Sequence, residues 1–379
     1  MKDLAEIRYF EIGGRYMKKK ELVILAMLAL LIISGMLITG CGKEKAADTT
    51  ATTRTIVDMA GREVTLPAEI HSLATIGPGP VLNSLIFAVG EGGKIVNGLP
   101  DFARSERWKY QHKFAPNISE QPMVQTSDFQ PNVEEMLKLK PDVVFTMEAR
   151  GSCEQIAEVL TNAGLPTVCL VWTEPDEVKQ AINMIGEVLN QETRAQEYSK
   201  YFDDTIARVS KVVDSIPEDK RPRVLHCNIQ SMTAPHTITE WWVSQAGGKS
   251  VTKEVRVSEN IEFSVEQLLK WDPQVIIVSS PDQVNLLCND SRFKEVSAVK
   301  SKQVFPTPVG AHIWGNRTSE QPLMLLWAAK TFHPEAFKNL NLEEELIQFY
   351  KHFFNYSMNV EEAQEILGGG PKVDPGKKK

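Results

Sequence analysis

Arginine, aromatic and histidine side chains gather in a few short stretches that lack helical or strand periodicity, and their chemistry is that of binding. The segment 101–110 holds Arg104, Arg107, Trp108 and Tyr110, and 147–150 ends on Glu148-Ala149-Arg150. Two later segments, 236–242 and 312–317, carry His236, Trp241, His312, Trp314 and Arg317. An aromatic face supplies contact area at low entropic cost, and a guanidinium makes charge-assisted, often bidentate bonds to oxygen anions. Gly77-Pro78-Gly79-Pro80 adds small residues past which a ligand can approach the backbone closely. Bond-making machinery is missing: the chain has no G-x-S-x-G, H-E-x-x-H or P-loop motif. No two histidines stand at a short ligand spacing, so imidazole hydrogen bonding is their expected role, with ligation of a bound metal as the alternative. The expected contact set is Arg104, Trp108, Tyr110, Glu148, Arg150, His236, Trp241, His312, Trp314 and Arg317. Each aromatic has a plainer reading as a core contact. Trp327, on the apolar side of a helix, is assigned to the core outright, and Arg107 reads as a solvated helix charge.

Rigid elements must present these loops, and an internal repeat indicates which. Residues 133–145 and 265–277 align without a gap at an offset of 132, each reading as a short amphipathic helix, a proline that ends it, and a buried apolar strand. Further strands are expected at 73–76, 167–171, 224–226 and 303–305. Strands that are apolar on both faces and alternate with helices imply parallel sheets covered by helices. The fold class expected is therefore α/β, with two similar lobes: 54–172, and 222–367 with its closing helices. Between them, 173–221 carries apolar residues at helical spacing, among them Ile182, Ile185, Tyr198, Phe202 and Val209. A helix of about 23 residues within this stretch would span roughly 35 Å and join the lobes as a spine. A cleft between two lobes is where small ligands usually bind, through loops at the carboxyl ends of the strands.

The ends of the chain read differently. Lys18-Lys19-Lys20, an apolar run over 22–38, and Ile38-Thr39-Gly40-Cys41 follow the order of an export signal, with Met17 a candidate true start. A cysteine directly after Thr-Gly resembles the lipobox of bacterial lipoproteins, in which the thiol is diacylglycerated and becomes the first mature residue. The competing reading is an uncleaved anchor, for which the run is slightly short. Residues 41–53 form a polar tether and 368–379 a flexible tail. Removing residues 1–40 takes six Lys/Arg and four Asp/Glu from totals of 42 and 49, leaving a net charge of −9, which argues against nucleic acid as partner. Cys153, Cys169, Cys227 and Cys288 are widely spaced with no C-x-x-C; a zinc site is not expected, and buried free thiols are preferred over disulfides.

The opening Asp58-Met59-Ala60-Gly61-Arg62-Glu63-Val64-Thr65-Leu66-Pro67, the repeat, the spine, and the closing run from Trp314 to Lys330 with His333-Pro334-Glu335 resemble one family. This is the class of ABC-transporter solute-binding proteins that capture iron–siderophore complexes, cobalamin and related chelates; the resemblance covers about residues 54–355. It implies a monomeric, extracytoplasmic, membrane-anchored protein that is not an enzyme, has no cofactor of its own, and delivers cargo to a permease and its ATPase. Iron(III)–siderophore is the expected cargo. Cobalamin, haem, or a nickel or cobalt chelate is the alternative, as is a ligand-sensing lipoprotein without a transport role. Members commonly dock through one surface Glu on each lobe. Here the N-lobe position is Ser84, with Glu91 as a substitute, and Glu240 stands near the C-lobe position.

Overall fold

A computed structural model describes residues 10–12, 15–17, 52–148 and 153–371. The signal, Cys41, most of the tether, Arg150 and the last eight residues lie outside the described residues. Near the N-terminus, β1 (Phe10–Ile12) pairs antiparallel with β2 (Arg15–Met17). The described residues from Thr53 onward form one compact unit.

That unit opens with a hairpin of β3 (Thr53–Val57) and β4 (Glu63–Pro67), whose turn uses Gly61 at φ 78°. The first sheet is parallel, in the order β5 (Leu73–Ile76), β6 (Val143–Met147), β7 (Thr167–Leu170), and Ile95 makes a parallel bridge to the outer side of β5. The second sheet runs β10 (Lys249–Ser250), β8 (Arg223–Cys227), β12 (Val275–Val278), β13 (Val304–Pro306), all parallel. The two orders are the same: in each sheet the second strand position lies on one side of the first, and the third and fourth on the other. The chain therefore reverses its direction of travel between β5 and β6, and again between β8 and β12. A reversal of this kind opens a crevice at the carboxyl ends of the two strands.

The repeat extends to the caps. Helices α1 (Gly79–Ala88), α2 (Lys109–Phe114) and α3 (Val133–Leu139) precede β6, and α8 (Val265–Trp271) precedes β12. Asn132 caps α3 by accepting from the Glu135 amide, and Ser264, 132 residues on, caps α8 by accepting from that of Gln267. Both helices end on a left-handed residue, Lys140 and Asp272, directly before a proline.

Alternating strand residues feed two cores. Leu73, Val143, Phe145, Val224, Val275 and Ile277 point into one central core that runs through both lobes. Ala74, Ile76 and Val144 face a separate outer core in the N-lobe, as Leu225, Ile276 and Val278 do in the C-lobe. The central core is filled by α1, all ten of whose residues are buried, and by the spine. The spine is a helical hairpin, α5 (Pro175–Leu189) and α6 (Glu192–Val213), turned by Asn190 at φ 56°. Its longer arm of 22 residues spans roughly 33 Å at the helical rise. Gly186 lets the two arms touch, since a Cβ there would stand 2.6 Å from that of Ala195.

The remaining elements are α4 (Cys153–Asn162), β9 (Thr233–Pro235), α7 (Ile238–Gln245), β11 (Asn260–Glu262), α9 (Pro281–Asn289), α10 (Ser297–Lys300), α11 (Gln321–Phe332), α12 (Leu342–Phe353) and α13 (Val360–Leu367). The chain beyond α13 corrects the reading of residues 368–379 as a flexible tail from its first residue. Gly369, Gly370 and Pro371 are buried, and Gly369 and Gly370, at φ 98° and 83°, fold the backbone onto Pro306 and Val309. Among the described residues no helix is long and apolar enough to cross a membrane.

Candidate functional site

The loops at the two reversal points face each other across the lobes. On the N-lobe side, Gly77 follows β5; its amide donates to Gln125 Oε1 (2.7 Å) and its carbonyl accepts from Gln125 Nε2 (2.7 Å). On the C-lobe side, Ser279 follows β12. Arg107, from a short 3-10 turn (Glu106–Trp108) before α2, reaches across and donates from Nη2 to the Ser279 carbonyl at 2.5 Å. Burial pulls the Arg107 guanidinium below its usual range, against the opposing pull of Asp282. The next residue, Trp108, is buried and packs at a tilt of 38° against His312 with ring centroids 4.9 Å apart. Gln111 of α2 donates to the Ala311 carbonyl at 2.6 Å. One segment of the N-lobe thus meets the C-lobe at three successive points.

Three imidazoles lie around this meeting. His312 and His226 are buried, and burial, ahead of any neighbour, pushes each down to about 3, so both rings are neutral near pH 7. Thr239 donates its hydroxyl to the Pro235 carbonyl and is therefore the acceptor for His226 Nδ1 at 2.9 Å. His312 Nδ1 lies 3.2 Å from the Ile313 carbonyl, which can only accept. In His226 the proton therefore sits on Nδ1 and the lone pair on Nε2, whereas His312 Nδ1 faces both the Ile313 carbonyl and, at 3.3 Å, the donating amide of Asn316. His236, at φ 56°, is partly exposed, stands 3.6 Å from Glu259, and acts electrostatically on both buried rings.

Beneath the His312 loop sits Glu320, fully buried. Its Oε1 accepts from the Ala311 amide (2.8 Å) and the Tyr350 hydroxyl, and its Oε2 from the His312 amide (3.0 Å). Burial pushes the carboxyl up to about 7, and these hydrogen bonds pull the other way. Two backbone positions of the loop are thereby pinned to one side chain.

The other expected contact residues are distributed more widely. Trp314 and Tyr110 have no exposed surface. The Tyr110 hydroxyl donates to Glu365 Oε1 (2.7 Å) on α13, flanked by Lys109–Glu365 and Lys113–Glu362 pairs. Trp241 packs edge-on against Phe202 of the spine, 5.9 Å between centroids. Arg104 is exposed and donates to the Leu99 carbonyl at 3.0 Å. Glu148 is exposed and accepts the Cys153 amide at 3.0 Å. Arg317 is held by protein groups: Nε donates to the Thr173 carbonyl (2.6 Å), Nη1 and Nη2 clasp Glu259 (3.0 and 2.6 Å), and Nη2 also reaches Thr237 (2.6 Å). Hydrogen bonds from His236, Arg317 and Thr237 hold the Glu259 carboxyl well below the usual range. Of the expected set, Trp108, His236 and His312 gather at the crevice. Arg107, His226, Ser279, Glu259 and Glu320 were not in that set.

The expected docking acids are also engaged. Glu240 is paired with Arg256 at 2.7 Å, and Arg256 is only 4% exposed; Glu91 accepts from Gln191 (2.6 Å) and pairs with Lys94 (3.1 Å). Ser84 is buried in α1, where its hydroxyl donates to the Val81 carbonyl and its own carbonyl accepts from the Ser319 hydroxyl. Among the described residues, no group of three or more His, Cys, Asp or Glu is placed to hold a metal ion.

Residues 85–309 match the family described as "Periplasmic binding protein". The chain is 26% identical over 372 residues to the molybdate-binding protein MolA of Haemophilus influenzae, covering 92% of this chain and 99% of that one. The crystal structure of MolA bound to molybdate is similar with a TM-score of 0.70 at 23% identity, over 81% of this chain and 99% of that chain. A periplasmic solute-binding protein from Veillonella parvula gives 0.73 at 24% identity, over 83% of this chain and 96% of that one. Helicobacter pylori CeuE, solved as a nickel–histidine complex, gives 0.64 at 20% identity, over 83% and 99%. The chain therefore belongs to the periplasmic binding protein family: it is the extracytoplasmic solute-binding component of an ABC importer, not an enzyme, and it serves a permease and ATPase without a cofactor of its own.

Proposed function

We propose that this protein captures a small oxyanion of the molybdate class and hands it to the permease. The observation that carries the reading is Arg107, whose half-buried guanidinium bridges the crevice to the carbonyl of Ser279. A cation placed there offers its remaining donors to an anion in the crevice. The aromatic area that a bulky, flat chelate would need is committed elsewhere, with Trp314, Tyr110 and Trp241 packed against protein. Arg107 and His236 supply donors suited to anionic oxygen. The MolA relative, which binds molybdate, supports the same ligand class.

A second reading, the metal chelate with iron(III)–siderophore as its first example, is favoured by one feature. His226 and His312 are both neutral, the form in which imidazole ligates a metal, and His226 carries its lone pair on Nε2. We further infer that Cys41 is diacylglycerated and tethers the mature chain to a membrane, on the strength of the Ile38-Thr39-Gly40-Cys41 order. Titration calorimetry of the soluble chain from Gly42 onward tests the cargo. Saturable binding of molybdate or tungstate, with ferric siderophores, haem and cobalamin silent, is expected. Binding of a chelate with the oxyanions silent would replace the first reading by the second.

A further inference from the structure

Cys153 and Cys169 stand 16 residues apart in sequence, on different elements, and the fold brings them together. Cys153 begins α4, and Cys169 is the third residue of β7. Both are buried, and with Ala157 they form a small cluster of their own. Each thiol is the largest influence on the acidity of the other. Arg62 brings its Nη1 to 3.5 Å from Cys169 Sγ while also pairing with Asp58 (3.2 Å), and Asp58 Oδ2 accepts the Cys169 amide at 3.0 Å. By contrast Cys227 is buried alone in β8, and Cys288 is exposed on α9. In the structure all four are thiols.

We propose that Cys153 and Cys169 are an oxidation site, closed to a disulfide once the chain has left the cytoplasm. An extracytoplasmic protein folds where disulfides form and persist, and this pair is already in contact. The Cys153 thiol, followed by the guanidinium of Arg62, favours the Cys169 thiolate, the form that attacks a disulfide. The oxidant required is a disulfide, on a protein or a small molecule. Cys169 Sγ attacks one of its sulfurs and forms a mixed disulfide, releasing the other sulfur as a thiolate. Cys153 then loses its proton, attacks Cys169 Sγ and expels the remaining oxidant sulfur. Two thiols and one disulfide become one disulfide and two thiols, with two electrons and two protons transferred to the oxidant.

The bond would join the start of α4 to the edge strand of the N-lobe sheet. Glu148, the first residue after β6, already accepts the Cys153 amide, so oxidation would anchor the chain just beyond the third strand position of the N-lobe. The closed loop is of the length for which a cross-link restricts the unfolded chain appreciably.

The test uses full-length protein exported into an oxidising cell envelope, denatured in acid, and alkylated with a maleimide polymer before and after reduction. With the Cys41 thiol blocked by its lipid, the proposal expects two labels before reduction, on Cys227 and Cys288, and four after it; a free Cys41 thiol adds one to every count. Peptide mapping should find the 153 and 169 peptides linked and 2 Da lighter than the sum of the free peptides. Cys153→Ser should expose Cys169 and give three labels without reduction. Four labels before reduction, or a link that involves Cys227 or Cys288, would overturn it. The wild-type labelling decides the matter even if the variant fails to fold.

Discussion

Replacing Glu320 by glutamine tests whether a buried carboxylate under the His312 loop titrates near neutrality. The carboxyl is pushed up to about 7 in the folded protein, against about 4.3–4.5 in an unfolded chain. A group raised in this way contributes stability that is fully present below its unfolded value and is lost as pH rises through its folded value. For this pair of values the loss is about 2.5 kcal/mol between pH 5 and pH 8.5, and about 3.5 kcal/mol over the whole range. Glutamine cannot titrate, so it removes the slope. It also loses one of the three hydrogen bonds the carboxylate accepts, from Ala311, His312 and Tyr350, which costs about 1–3 kcal/mol for a buried donor left unpaired. Glu320→Gln should therefore be destabilising at pH 5 and close to neutral, or stabilising, at pH 8.5. The assay is urea unfolding at five pH values in that range, read as the difference between wild type and variant. The difference matters because His226 and His312, held neutral by burial, bring their own slope with the opposite sign: stability falls as pH drops below their ordinary range. That slope is common to both proteins and cancels. A difference that stays constant from pH 5 to 8.5 would refute the argument, since it would leave Glu320 ionised or neutral throughout.

Arg107→Ala should weaken cargo binding by about 1.5–3 kcal/mol, the range for a charge-assisted bond, with little loss of stability. Arg317→Ala should do the reverse, lowering the urea midpoint by an amount worth about 1–2 kcal/mol, because its partners are Glu259, Thr237 and the Thr173 carbonyl. Calorimetry and unfolding on the same two proteins would separate them, and equal behaviour would dissolve the distinction. Cys41→Ser should move the protein from the membrane fraction to the soluble fraction on sedimentation; retention in the membrane would favour the uncleaved apolar anchor.

Much of the scaffold was legible because local rules and tertiary packing agree. Residues 133–145 and 265–277 predict a helix, a stop and a strand, and the stop is a left-handed residue before a proline in both copies, Lys140 with Pro141 and Asp272 with Pro273. The site was less legible because its decisive contacts join residues far apart in the chain. Arg107 looks like a surface cation among 101–110, and only the fold shows that Ser279, 172 residues on, offers its carbonyl. Tyr110 and Trp314 look like binding aromatics, since composition cannot separate a cleft face from a core face. What settles Tyr110 is Glu365, 255 residues away. Cys153 and Cys169 gave no spacing signal for the same reason: a helix start and a strand meet across the edge of a sheet.

The distribution of interlobe contacts bears on how cargo enters. A hinged binding protein keeps its lobes joined by a few connecting strands, and its cleft can gape. Here the central core is continuous through both lobes, and α1 is buried on every side. Polar ties then fasten the lobes to each other and to the spine at several heights. Ser84 meets Ser319, Tyr198 donates to the Ser319 carbonyl at 2.8 Å, Gln111 holds Ala311, and Trp172 donates to the Arg317 carbonyl at 3.2 Å. Opening the lobes as rigid bodies would break these together and expose apolar surface, so the motion must be local. The half-buried Arg107 side chain and the partly exposed His236 are the groups able to move without disturbing the core. Scattering profiles with and without cargo should then superimpose, while fluorescence of Trp108, which lies between Arg107 and the His312 ring, should change. A clear compaction on binding would show that the lobes hinge despite the shared core, and that the ties between them break and re-form with each cargo.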